Sequence, residues 1–149
     1  MPSAPSLRDL TSAELILVGL GQPDRDTLLK IIAERMAEVL DLAPVPIFQG
    51  LQDREKLGST ALANEVALPH TRSDQVKSST VVIAIFPEAT DYGGKKVRAV
   101  FAVISPSKDP SQNLQCLAAI SRWVQQDGAV DQLVSMPTPA AVLELLQQG

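Results

Sequence analysis

The chain has 149 residues, 45% of them hydrophobic and 20% charged, which is about one domain's worth of material and enough to bury a core without disulfide or metal staples. A net charge of -4 argues against a nucleic-acid binder, which needs a basic face. One cysteine, Cys116, excludes an internal disulfide and fits a reducing compartment, and one histidine, His70, excludes a standard Cys/His zinc site within one chain. No apolar run approaches the ~18 residues of a membrane span, and the first residues carry no basic-then-apolar secretory signal. The expectation is a cytoplasmic chain without stable membrane insertion. A single domain over 1–149 is expected, with residues 1–6 flexible.

The predicted elements run as follows. Residues 13–18 are an apolar run that Gly19 and Gly21 end, which fits a strand. Pro23-Asp24 opens a helix over 24–41, with Leu28, Ile32, Met36 and Val39/Leu40 on one face. Pro44 and Pro46 stop it. A short helix is expected over 51–57, with Gly58 as a left-handed end cap. Residues 66–68 read as a short strand that Pro69 ends, with His70 just past it. Residues 80–86 and 97–104 are nearly continuous apolar runs, as strands buried on both faces are. The ten residues between them, 87–96, contain Gly93-Gly94 and are too few for a parallel crossover, so the two strands should be antiparallel neighbours. Ser111 is expected to cap a helix over 111–125, with Leu114, Leu117, Ser121 and Val124 along its stripe. Two short helices follow, at 129–135 and 138–147. The implied class is α/β: a three-layer sandwich, with a mixed central sheet flanked by helices on both faces.

His70 is the only side chain whose ordinary titration lies near neutrality. A lone His at a strand end is more often structural than catalytic. Arg54, Ser59 and Thr60 lie close before it and could complete an anion site. Spacing alone favours the bland reading: Arg54, Glu55 and Lys56 as the solvated face of a short helix, Ser59 and Thr60 as turn hydroxyls. Cys116 and Trp123 read as packing residues. The Gly-x-Ser-x-Gly elbow, the phosphate loop and the dinucleotide fingerprint are all missing.

The stretch Arg54-Glu55-Lys56-Leu57-Gly58-Ser59-Thr60, followed by Val66-Ala67-Leu68-Pro69-His70, resembles the enzyme IIA domains of the bacterial phosphotransferase system. The type is the mannitol/fructose one, which includes the nitrogen-regulatory relatives. The resemblance implies that His70 accepts a phosphoryl group from the carrier HPr, and that Arg54 clamps that group. It implies delivery to a IIB domain, or use of the group as a regulatory mark, with no metal or other cofactor. Ser59, Thr60 and Asn113 are the further phosphoryl-binding candidates. Five positions depart from the family pattern. Ala61, Ala63 and Glu65 stand where glycines are usual, and Glu65 is expected to bring a negative charge to the rim of the site. Thr71 replaces the glycine after Pro-His, and Asn113 stands where a second His is common. These departures suggest an alternative: a IIA-like regulatory module that binds a target protein with little or no phosphoryl transfer.

Overall fold

The computed structural model describes residues 6–148. Its centre is a long antiparallel hairpin, β4 (Thr80–Tyr92) and β5 (Lys95–Pro106). The ladder runs from Thr80↔Ile104 to Ile85↔Ala99, breaks at an irregularity, and resumes from Thr90↔Val97 to Tyr92↔Lys95. The expected antiparallel pair is present, but its connection is much shorter than ten residues. Only Gly93 and Gly94 turn the chain, with φ of 61° and 99°. A two-residue hairpin turn of this kind needs positive φ, which glycine supplies without steric cost.

Three short strands complete the sheet. β1 (Ile16–Leu17) lies parallel to β4, while β2 (Val66–Ala67) and β3 (His70–Ser73) both lie parallel to β5. The pairs Val66↔Ala99 and His70↔Val103 keep one register, so β2 and β3 are a single edge line interrupted at Pro69. A proline can sit there because an edge strand does not need every N–H, and Pro69 still accepts from the Val103 N–H at 2.9 Å. The sheet is thus mixed, and its edge line continues past His70.

Two strand expectations need correction. Of 13–18, only Ile16–Leu17 is strand. Ala13–Leu15 forms a 3₁₀ turn, with the Leu15 N–H bonded to Ser12 O at 3.0 Å, which takes that backbone out of the ladder. His70 begins a strand instead of trailing one. Of the start expected to be flexible, residues 1–5 lie outside the described residues, and Ser6 Oγ caps the 3₁₀ turn Leu7–Leu10 by accepting from the Asp9 N–H.

The helices form the outer layers. α1 (Arg25–Leu40) is capped by Asp24, whose Oδ1 accepts from the Thr27 N–H at 2.8 Å; that bond holds the Asp24 carboxyl below its ordinary value. α2 (Pro44–Lys56) starts seven residues earlier than expected. As stop signals Pro44 and Pro46 give only half the outcome: Pro44 opens α2, where the missing N–H costs nothing. Gly58 follows with φ of 146°, a glycine conformation outside the expected left-handed cap. α3 (Pro110–Val124) begins with Pro110, and its cap position is Asp109; Ser111 instead donates its hydroxyl to Asp109 Oδ1 at 2.6 Å. Its buried stripe is Cys116, Ile120, Trp123 and Val124, whereas Leu114 is 68% exposed. α4 (Ala129–Val134) and α5 (Pro139–Gln148) close the chain, the latter with Thr138 Oγ1 accepting from the Ala141 N–H.

Strand alternation divides the core into two. Val82, Ala84, Val100 and Ala102 face α1 and α2, where they meet Leu28, Ile32, Met36 and Leu51. Val81, Ile83, Phe101 and Val103 face α3, α4 and α5, where Phe101 lies 6.5 Å from Trp123 between ring centres. Among the described residues, no helix is long and apolar enough to cross a membrane.

Candidate functional site

Alternation along the edge line sets the direction of each side chain around His70. Leu68 packs with the α3 side of the core and Ala67 with the α2 side. The same register carried through Pro69 turns His70 and Arg72 to the α3 side and Thr71 to the α2 side. Thr71 meets α2 at Gly50. A Cβ on Gly50 would collide with Thr71 Oγ1 and lie 3.1 Å from Thr71 Cβ, so glycine is what lets the helix sit this close to the strand. One turn further along α2, Arg54 reaches around the strand edge to His70.

The imidazole is held at both nitrogens. His70 Nδ1 lies 2.8 Å from Leu68 O, and Arg54 Nε lies 3.2 Å from His70 Nε2. A carbonyl oxygen can only accept and a guanidinium N–H can only donate. The proton therefore sits on Nδ1, and Nε2 carries the lone pair. Arg54 is itself anchored by Nη1, which donates to Gly58 O at 2.9 Å.

A cleft of about 550 Å³ opens beside His70 at the edge of the sheet. α2 contributes Asp53, Arg54 and Leu57; β3 contributes His70, Thr71 and Arg72; the first turn of α3 contributes Pro110, Asn113 and Leu114. Asn113 Oδ1 is buried there with no hydrogen-bond partner among the described residues. The cleft therefore gathers two guanidiniums, one amide and a helix N-terminus beside the imidazole, together with the Asp53 carboxylate. The guanidiniums, the amide NH₂ and the helix N-terminus favour an oxyanion, and the carboxylate opposes one.

Of the site residues expected from sequence, His70, Arg54 and Asn113 share this cleft. Ser59 and Thr60 do not line it. Ser59 Oγ is exposed and accepts from the Ala61 N–H at 3.1 Å. Thr60 turns inward, where its hydroxyl donates to Glu55 Oε1 and its N–H donates to Glu55 Oε2. Tyr92 adds a bond from its hydroxyl to Glu55 Oε1 at 2.8 Å. Burial, with the Glu55 charge beside it, pushes the Tyr92 phenol far above its ordinary value. Glu55 is thus 4% exposed and buried beneath the site, instead of lying on a solvated helix face with Arg54 and Lys56. Its bonds pin the segment after α2 to the β4–β5 hairpin, and that segment holds the Gly58 carbonyl against Arg54.

Glu65 is also not where it was expected. It lies five residues before His70 in an extended stretch, so the two are roughly 16 Å apart. Its carboxylate pairs with Arg98 Nε at 3.3 Å, away from the cleft. Its backbone has φ of 63°, the left-handed turn that folds 61–62 back along β2.

Arg72 escaped the sequence reading. Its signal was the period of two after His70, which is visible only if the strand is continued past Pro69.

Comparisons with known proteins agree with this architecture. Residues 9–149 match the family model of the phosphoenolpyruvate-dependent sugar phosphotransferase system, EIIA 2. A nitrogen regulatory protein of Bradyrhizobium diazoefficiens is 27% identical over 143 residues, covering 94% of each chain. Two solved structures share the fold. The nitrogen regulatory protein IIA-Ntr of Neisseria meningitidis has a TM-score of 0.84 at 23% identity, covering 94% of this chain and 98% of that one. The IIA chain in the complex of enzyme IIAMTL and phosphorylated enzyme IIBMTL from Escherichia coli has a TM-score of 0.78 at 22% identity, covering 93% and 97%. With the fold and the extent of the match in agreement, the chain belongs to the EIIA 2 family of the phosphotransferase system, of the nitrogen-regulatory or mannitol IIA type.

Proposed function

We propose that this chain is a phosphohistidine carrier. Its His70 Nε2 takes a phosphoryl group from an HPr-like phosphocarrier and either passes it to a IIB domain or keeps it as a regulatory mark. The observation that carries the reading is the fixed tautomer of His70, with Nδ1–H on the Leu68 carbonyl and the Nε2 lone pair facing Arg54 beside a cleft that holds two arginines.

In the transfer, the Nε2 lone pair attacks phosphorus as the donor's N–P bond breaks and returns its electron pair to the donor imidazole. His70 keeps its Nδ1 proton throughout, and Leu68 O is placed to stabilise the charge that the phosphorylated ring acquires. Arg54 has to release Nε2 as the phosphoryl group arrives. Its Nη1 bond to Gly58 O keeps it beside the cleft, so its other N–H groups turn to the phosphoryl oxygens. The Asn113 amide NH₂ offers a further donor. Charge compensation and positioning meet the needs of such a transfer, so the reading uses neither metal nor cofactor. The same reading puts the chain in the cytoplasm with its carrier. The IIB domain in the Escherichia coli complex supports a IIB partner. The full-length match to a nitrogen regulatory protein supports the regulatory use, with a target protein as partner.

Incubation with phosphoenolpyruvate, enzyme I and HPr should add one acid-labile phosphoryl group, read by intact mass, and His70→Ala should abolish it. Arg54→Lys should slow the transfer, because a point charge replaces a planar fork, and Arg54→Met should slow it by about 2 kcal/mol of barrier or more. A wild-type chain that gains no mass beside an active HPr leaves the target-binding module as the reading.

A further inference from the structure

Arg72 is the cation of the cleft that the mechanism above does not use. It stands two residues after His70 on β3, so both side chains leave the strand on one face, against Val103 and Ser105 of β5. The spacing puts their Cα atoms roughly 7 Å apart, within reach of a long guanidinium. Arg72 is exposed and forms no ion pair among the described residues. The cleft's carboxylate, Asp53, lies on the α2 side with Lys56 Nζ at 3.8 Å. Arg54, in contrast, is committed at both ends, to His70 Nε2 and Gly58 O. The amide of Asn113 can donate a hydrogen bond but carries no charge.

We propose that Arg72 is the capture cation of the cleft: its free guanidinium engages the incoming phosphoryl group while Arg54 still covers Nε2, and then holds that group on His70. The inference rests on the reading of His70 as acceptor. In the step itself, the donor N–P bond breaks with its electron pair returning to the donor ring, the new N–P bond forms with the His70 Nε2 pair, and Arg72 stays protonated. A planar fork binds two oxygens of one phosphoryl group, so lysine should serve only in part.

The test uses the full chain as wild type, Arg72→Lys and Arg72→Gln. It reads the rate of His70 phosphorylation by phosphorylated HPr, the lifetime of the isolated phosphoprotein, and the affinity for unphosphorylated HPr. Arg72→Gln should slow phosphorylation about tenfold or more and shorten the phosphoprotein's lifetime, with Arg72→Lys in between. Melting temperature and affinity for unphosphorylated HPr should stay at wild-type values, because the side chain has no ion-pair partner to lose. Wild-type rate and lifetime in Arg72→Gln would overturn the inference and leave His70 as acceptor. Parallel loss of affinity for unphosphorylated HPr would also overturn it, by making Arg72 a protein-docking contact. If the wild type takes no phosphoryl group, the acceptor reading and this inference fail together, and the wild-type arm alone distinguishes that result.

Discussion

Glu55 and Glu65 look alike in a sequence and do opposite things in the fold. Glu55 is buried and receives three hydrogen bonds, from the Thr60 hydroxyl, the Thr60 N–H and the Tyr92 hydroxyl. Removing it would strand three donors in the interior, each costing about 1–3 kcal/mol when unsatisfied. Glu65 keeps its side chain partly in solvent beside Arg98, and such a pair contributes little. What matters at position 65 is the backbone, which is held at φ of 63° by a turn that a Cβ disfavours. Replacing Glu65 with Ala or with Gly removes the same carboxylate, but only Gly fits that turn freely. Glu65→Gly should therefore exceed Glu65→Ala in unfolding free energy by about 1 kcal/mol, read from urea midpoints. Neither variant should change the rate of His70 phosphorylation. A faster rate in both would mean that the carboxylate reaches the cleft after all.

At the scale of elements, the site depends on how closely α2 approaches β3. Gly50 is the point of contact, and Arg54 meets His70 one helical turn later. Gly50→Ala should push the helix off Thr71, destabilise the protein by about 1–3 kcal/mol, and slow phosphorylation by moving Arg54. Thr71→Gly removes all three atoms in the way. In a double-mutant cycle the pair should therefore lose less than the sum of the single variants, and strict additivity would deny the contact. This junction was the least legible part of the chain, for physical reasons. The central hairpin announced itself because β4 and β5 are buried on both faces and read as unbroken apolar runs. β3 is a polar edge segment, His-Thr-Arg-Ser, placed after a proline, so no hydrophobic pattern marks it. Without the strand, the alternation that puts Arg72 beside His70 stays hidden. Pro44 begins α2, whereas α1 already ends at Leu40 with Asp41 at φ of 58°; from sequence the proline shows only as a stop signal. For α3, Leu114 drew the predicted stripe towards itself, yet it is exposed because that face borders the cleft. The Arg54…His70 spacing was readable as a motif. The inward turn of Thr60 was not, since the Glu55 that receives it is buried against Tyr92, which comes from a distant hairpin.

At the scale of the molecule, one thin sheet serves as the shared wall of two cores. Val100 faces α1 and α2, and its neighbour Phe101 faces α3, α4 and α5, so neither core can lose the hairpin without opening the other. The expectation of a single domain over 1–149 then becomes a statement about cooperativity: the two sides should melt as one unit. Trp123, on α3, supplies a probe confined to one side, since it is the chain's only tryptophan and packs near Phe101. Met36 lies on α1, on the far side of the sheet, and is fully buried. Met36→Ala leaves every residue around Trp123 untouched and should cost about 3 kcal/mol through lost burial and a residual cavity. For a chain of this size that lowers the melting midpoint by roughly 6–12 °C. If the sheet couples the two cores, Trp123 fluorescence should report the full shift, coincident with the midpoint seen by circular dichroism. If α1 and α2 melt as a separate unit, the fluorescence midpoint should stay at its wild-type value while the circular dichroism curve splits in two. Coincident curves would also bear on the site, because α2 carries Arg54 and α3 carries Asn113. The cleft between them then exists only while both cores are closed.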